Sequence, residues 1–428
     1  MQGLVLTKKE KMIILNAINK TLLLISTGVN KGGYKILNNF TYYTPTKVVF
    51  GKRTEEKIGG LIRECGCQKG LVHYGGKSAK ASGLLDRVVA SVEKAGAQAV
   101  LLGGVVPNPH LSLVYEGIEL CQREKVDFIL VVGGGSVIDS AKAIGYGVAN
   151  EGDVWDFFEK KRKAQACLPI GVVLTIAAAG SEMSNGSVIT KAEAGMKLAY
   201  DDDLSRPVFA IMNPELTMSL PDYQTASGCV DILMHTMERY FTNGGNMEIT
   251  DSIAEGLMRT VMNNAIILKE QPDNYDARAE VMWAGSLSHN GLTGCGNDGG
   301  DFATHMLEHE IGGMFDVAHG AGLAAIWGSW ARYVYKDCLD RFVKFATCVI
   351  GISPSDDLEA VALKGIEGME AFYHQIDMPI SMKELGVTPT DQQLKTMAKM
   401  CSIATGGAKG SAKVLKEDDM YNIYRLAL

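Results

Sequence analysis

The chain has 428 residues, 46% hydrophobic and 21% charged, which suits two domains with full-sized cores. Net charge is -7, and Lys and Arg are scattered instead of forming the basic face a phosphate-backbone binder needs, so nucleic acid is not an expected partner. The nine cysteines lack a framework spacing, and the closest pair, Cys65 and Cys67, has one residue between them. Reduced thiols in a cytoplasmic protein are the expectation.

Residues 1–37 are read as an N-terminal extension. Basic Lys8–Lys11 precedes the apolar Met12–Ile25, which raises a signal peptide, but Asn16, Asn19 and Lys20 interrupt that run. The run is also too short to span a bilayer, so no membrane association is expected.

Residues 38–220 are expected to form an α/β domain. Gly70–Tyr74, Gln98–Leu102, Val126–Val132, Pro169–Ile176 and Pro207–Met212 are near-continuous apolar runs, as in strands covered on both faces. Leu84–Ala95 and Leu111–Lys125 between them carry apolar residues at helical spacing. The alternation predicts a parallel sheet with helical crossovers.

After Leu220-Pro221 the texture changes. Tyr223–Phe241, Ile249–Lys269, Asp276–Asn290, Phe302–Met314, Gly322–Gly351 and Asp357–Gln375 all read as helices, so residues 221–428 are expected to be all-helical.

Within the first half, Val126–Val132 runs into Gly133-Gly-Gly-Ser-Val-Ile-Asp139 and a helical stretch. A strand, a glycine turn and a helix start gather backbone N–H groups and the positive end of a helix dipole, which suits a pyrophosphate. The glycines permit close approach and positive φ, and Ser136 is a candidate helix cap or phosphate donor. Ile138 stands where the Rossmann fingerprint has its third glycine, so the turn alone is equally well an ordinary tight connection. Tyr74-Gly-Gly-Lys-Ser78 and Thr175 with Ala179-Gly-Ser-Glu182 follow two further strands, which favours a Rossmann-like dinucleotide site. No acid lies among Gly75, Gly76, Lys77, Ser78 and Lys80, where a carboxylate would hold a ribose 2′-OH and repel a 2′-phosphate. That favours NADP(H), with NAD(H) the other candidate.

In the second half Asp231 and His235 are four apart on one helix face, as are His305 and His309, and His319 follows after a turn. One carboxylate with several imidazoles is a ligand set for a divalent metal, Fe2+ or Zn2+. A rival reading takes His305-Met-Leu-Glu-His309 as the H-x-x-E-H motif of a zinc peptidase, with His305 and His309 on zinc and Glu308 activating water. It leaves the glycine turns of the first half unexplained.

From Asn39-Phe-Thr-Tyr-Tyr-Thr-Pro-Thr-Lys-Val-Val-Phe-Gly51 almost to the C-terminus the chain resembles the iron-containing (group III) alcohol dehydrogenases, most of all NADPH-dependent butanol dehydrogenases and broad-range aldehyde reductases. Pro107-Asn-Pro109, Gly133–Lys142, Gly180-Ser-Glu182, Asp231 with His235, and Ala303-Thr-His305 through His319-Gly320 carry the resemblance. It implies a dehydroquinate synthase-like fold, a homodimer, and reversible reduction of a short- to medium-chain primary aldehyde. The metal ligands it implies are Asp231, His235, His305 and His319, and His309 becomes a non-ligand histidine near the nicotinamide and a candidate proton relay. Implied cofactor contacts are Gly75, Gly76, Ser78, Gly134, Gly135, Ser136, Asp139, Thr175, Ser181, Val188 and Lys197. Asn213-Pro214 departs from the family's usual Asp-Pro, a change expected to alter local turn bonding.

Overall fold

The structure, a computed structural model, describes residues 37–428 apart from Lys77 and Asn246. All of the expected extension except Leu37 therefore lies outside the described residues, as does Lys77, one of the residues invoked for cofactor preference.

Among the described residues there are eight strands: β1 Lys47–Phe50, β2 Lys69–Tyr74, β3 Gln98–Leu102, β4 Phe128–Gly133, β5 Ile170–Leu174, β6 Gly186–Lys191, β7 Met196–Asp201 and β8 Phe209–Met212. Six form one sheet in the order β1-β8-β5-β4-β2-β3, with every pairing parallel. Strands β6 and β7 form a separate antiparallel hairpin. The helices threading this half are α1 Ile58–Glu64, α2 Ser78–Ala81, α3 Leu84–Lys94, α4 Leu111–Glu124, α5 Gly135–Ala149 and α6 Trp155–Phe158.

The apolar runs are continuous because both faces of the sheet are covered. Leu71, Ile129, Val131, Val172 and Ala210 pack on one side with Val114 and Cys121 of α4 and Ile138 and Ile144 of α5. Their neighbours Val72, Leu130, Val132, Val173 and Ile211 pack on the other with Ile58 and Leu61 of α1 and Leu84 and Val88 of α3.

The rest of the chain is helical: α7 Asp222–Tyr240, α8 Glu248–Glu270, α9 Tyr275–His289, α10 Ala303–Phe315, α11 His319–Val334, α12 Leu339–Phe345, α13 Leu358–Gln375, α14 Asp391–Ala404 and α15 Glu417–Leu426. Its core joins Val230, Leu233 and Met237 of α7 to Trp327 and Trp330 of α11 and Phe342 and Phe345 of α12. The helix expected over Gly322–Gly351 is in fact two, interrupted between Val334 and Leu339, and the second passes into a π-helical turn at Ala346–Ile350. After the break Arg341 donates to both oxygens of Asp251 at 2.6 and 2.8 Å, a buried pairing.

Candidate metal centre and cofactor cradle

The sheet places three loops side by side. From β2 to β3 the chain moves toward one edge; it then returns to set β4 on the other side of β2, so the winding reverses between β2 and β4. A crevice at the carboxyl ends of the strands is expected where the winding reverses. Tyr74 pairs with Val132, and Gly133 with Leu174, so Gly75 with Gly76, Gly134 with Gly135, and Thr175 leave the sheet together. Thr175 N–H donates to Gly133 O at 3.1 Å, tying two of these exits.

Gly134 is the cap residue of α5, Gly135 its first residue and Ser136 its second. No side chain caps this end, so the capping role considered for Ser136 is not realised. The positive φ allowed for these glycines is not used either: Gly134 has φ -105°, and none of the three is in the left-handed region. Two of them are glycine for space. A Cβ would fall 2.4 Å from Val137 Cγ2 at Gly133 and 1.9 Å from Ile176 Cγ2 at Gly134. At Gly76 and Gly135 nothing among the described residues lies within 4 Å of that point, which leaves bare backbone for a phosphate to approach. Ser78 opens the short helix α2.

Asp139 sits one turn into α5. Its carboxylate accepts from Ser181 Oγ at 2.6 Å and from Val188 N–H at 3.1 Å, so it joins two other candidate contacts to the helix. Burial raises its pKa, against the pull of the Lys142 charge. Lys142, fully buried, donates to the carbonyls of Ser181, Ser184 and Gly186 at 2.9, 3.0 and 2.8 Å. Lys197 lies on β7 opposite Thr190, and its charge bears on His309 and Glu310.

The helical half supplies the second constellation. Asp231 and His235 come from α7, His305 and His309 from α10, and His319 is the first residue of α11. Asp231 Oδ1 lies 3.4 Å from His235 Nε2, 3.8 Å from His305 Nε2 and 3.8 Å from His319 Nε2. Donors about 2.1 Å from a tetrahedral cation stand about 3.4 Å from one another, close to these separations. Asp231 Oδ1 and His305 Nε2 are buried and have no hydrogen-bond partner among the described residues, which costs free energy that a cation would recover. Oxygen and imidazole donors suit iron or zinc, so the residues fit a divalent metal.

Two carboxylates orient the rings. Glu238 Oε1 accepts from His305 N–H at 2.9 Å and from His305 Nδ1 at 3.2 Å, and Glu308 Oε2 is paired with His319 Nδ1. Each bond occupies Nδ1 and turns Nε2 toward Asp231. Burial opposes charging His305, yet Asp231 and Glu238 outweigh it and push its pKa up to about 9, as expected where negative charge awaits a cation. His309 lies beside the set, its ring 5.7 Å from that of His319. Burial, then the Lys197 charge, hold its pKa well below the ordinary value, so it is neutral at pH 7.

Sequence reasoning missed Glu238, the supporting role of Glu308, Lys142, and His289. A signal existed for Glu238: Asp231, His235 and Glu238 follow at i, i+4 and i+7, a polar stripe on a mostly apolar helix. The peptidase reading is not supported by this arrangement: the Glu308 carboxylate is paired with His319 Nδ1, and His305 clusters with Asp231 and His235.

Asn213, the departure from the family pattern, is buried; its Oδ1 accepts from Glu215 N–H at 3.1 Å, and its Nδ2 faces Glu55 Oε2 at 3.0 Å and Glu215 Oε2 at 3.3 Å. An amide there meets two carboxylates with a donor.

A sheet crevice facing a carboxylate and imidazoles is the architecture of a metal-assisted nicotinamide oxidoreductase, and sequence comparison agrees. The family profile for iron-containing alcohol dehydrogenases matches residues 45–214, and that for the C-terminal part of the Fe-containing alcohol dehydrogenase family matches residues 225–428. The chain belongs to the iron-containing alcohol dehydrogenase family, a group of oxidoreductases that pairs a nicotinamide cofactor with iron or another divalent metal. It is 37% identical to NADH-dependent butanol dehydrogenase A of Clostridium acetobutylicum over 90% of this chain and 99% of that one. It is 35% identical to the NADPH-dependent aldehyde reductase YqhD of Escherichia coli over 82% of this chain and 90% of that one. The crystal structure of NADH-dependent butanol dehydrogenase A from Thermotoga maritima superposes with a TM-score of 0.88 at 38% identity, covering 92% of this chain and all of that one.

Proposed function

We propose that this enzyme exchanges a hydride between NADP(H) and a short- to medium-chain primary alcohol or aldehyde, in the manner of a butanol dehydrogenase, with one Fe2+ or Zn2+ held by Asp231, His235, His305 and His319. The observation that carries this is Asp231 Oδ1 standing within 3.8 Å of three imidazole Nε2 atoms. A cation bound there supplies Lewis acidity toward the substrate oxygen, and the nicotinamide supplies the hydride donor or acceptor.

The chain's own groups do the rest. Glu238 and Glu308 fix the tautomers and directions of His305 and His319. Gly134, Gly135 and Ser136 at the α5 terminus receive the pyrophosphate, and Gly75, Gly76 and Ser78 the adenosine end. Asp139 and Lys142 hold Ser181 and the β6–β7 hairpin, with Val188 and Lys197, against the nicotinamide side, and Thr175 completes the wall. His309, neutral and partly exposed, moves the proton between substrate and solvent. The absence of a carboxylate from Gly75 to Lys80 supports NADP(H) over NAD(H).

This reading divides the enzyme into residues 38–220, which hold the cofactor, and 221–428, which hold the metal. It also makes the enzyme a cytoplasmic homodimer: Phe40, Tyr42 and Tyr43 are exposed just ahead of edge strand β1, a surface a second copy would cover. Among the described residues no helix is long and apolar enough to cross a membrane.

The test is an aldehyde panel assayed with NADPH and NADH against metal-stripped, iron-reloaded and zinc-reloaded protein. His235→Ala and His305→Ala are expected to lose metal and turnover while still binding NADPH. Full activity of these variants after chelation would overturn the assignment.

A further inference from the structure

Helix α9 ends at His289, whose ring centre lies 4.0 Å from that of His235. Its Nδ1 is 3.0 Å from Nη2 of Arg239. A guanidinium has only donors, so Nδ1 is the acceptor, and the ring is the neutral tautomer with its proton on Nε2. Arg239 is anchored by the carbonyls of His235 at 2.7 Å and Ser288 at 3.2 Å, which fixes the imidazole in turn. The cation behind the ring polarises it and strengthens Nε2–H as a donor.

Among the described residues nothing accepts from that Nε2. It lies 4.0 Å from the point a Cβ on Gly186 would occupy, and Asp201 Oδ1 lies 2.8 Å from the same point. Gly186 and Asp201 face each other in the β6–β7 register. With no side chain at 186, a donor and an acceptor border one gap next to His235. A hydroxyl is the small group that both accepts and donates.

We propose that His289 and Asp201 form a subsite for a second hydroxyl on the substrate, so that diols and hydroxyaldehydes are preferred over plain alcohols and aldehydes; this rests on the dehydrogenase reading of the cleft. The hydroxyl accepts from His289 Nε2–H and donates to Asp201 Oδ1. His289 is a specificity-determining residue and not a metal ligand, since Arg239 occupies Nδ1 and Nε2 carries the proton.

The experiment compares oxidation of 1,3-propanediol with 1-propanol, and of 1,4-butanediol with 1-butanol, by metal-loaded enzyme with NADP+ and NAD+. At least one diol is expected to exceed its mono-ol by about tenfold in kcat/KM, the effect of one or two hydrogen bonds. His289→Leu and Asp201→Ala should each lose that advantage through a higher KM for the diol, with the mono-ol unchanged within about threefold. His289→Gln, which keeps an N–H donor, should restore part of it. Calorimetry supplies a readout independent of turnover: in the presence of NADPH the diol should bind about tenfold more tightly than the mono-ol, and not so in the variants. A wild type without diol preference, or variants that lose diol and mono-ol in equal proportion, would overturn the subsite. Inactivity toward every alcohol with either nucleotide would instead overturn the dehydrogenase reading, while the calorimetric comparison would still decide whether the hydroxyl subsite exists.

Discussion

Glu238 grips His305 at two atoms, through the backbone N–H at 2.9 Å and the ring Nδ1 at 3.2 Å. One carboxylate thus sets both where α10 begins to turn and which nitrogen of His305 faces Asp231. Glu238→Ala is expected to weaken metal affinity by about 10- to 100-fold, the usual cost of losing such an outer partner. Competition against a chelator measures it. NADPH binding, read by fluorescence, should not change, and an unaltered metal affinity would show that Glu238 does not orient the ring.

Lys142 is a buried cation satisfied by three carbonyls of the 181–186 turn. Burial lowers its pKa to about 8 against the pull of Asp139 and Glu182. Lys142→Met removes the tie and leaves Asp139 buried without its nearby charge. Stability should drop by about 3 kcal/mol or more, and KM for the nucleotide should rise more than KM for the aldehyde. Thermal denaturation and initial rates check the two halves of this expectation.

A methyl group at Gly134 would sit 1.9 Å from Ile176 Cγ2. Either the α5 terminus or the strand end after β5 must then shift, so Gly134→Ala should weaken NADPH binding at least about tenfold and destabilise the fold by about 1–3 kcal/mol. Adding Ile176→Ala removes the colliding atom and should recover much of both. Failure of the double variant to recover binding would mean that the glycine is required for something besides space.

His73 predicts a pH effect on stability. It is fully buried in β2, with Nδ1 2.9 Å from Leu102 O and Nε2 2.9 Å from Ser140 Oγ. The carbonyl only accepts, so the proton is on Nδ1 and Nε2 receives the serine hydroxyl. Burial pushes its pKa from 6.5 down to about 4. The unfolded chain therefore takes up a proton that the folded form refuses. The contribution is complete above about pH 6.5, declines as pH falls to about 4, and amounts to about 3 kcal/mol. Denaturation of wild type and His73→Gln at pH 7, 5.5 and 4 should show the gap between them narrowing with acid; a constant gap contradicts the assignment.

The main strands were readable because the sheet is buried on both faces, so β2, β4 and β5 are continuous apolar runs. Strand β1 is only four residues long and partly exposed, and β6 and β7 alternate with polar residues, so no such run marked them. Helices α14 and α15 were missed because polar residues make up half of each and break up the apolar pattern. At the site, histidine spacing brought out the candidate ligands but also suggested pairing His305 with His309, whereas His305 clusters with Asp231 and His235 across two helices. Long-range partners such as Glu238 with His305, 67 positions apart, or Arg239 with His289, 50 apart, leave no local pattern to read.

The four candidate ligands come from three separate helices, and 88 positions of chain run from Asp231 to His319. An ion held by all of them would act as a removable staple on the second half of the enzyme, closing loops that packing alone would otherwise have to hold. Growth conditions that starve cells of the ion would then govern how long the enzyme survives proteolysis as well as how fast it turns over.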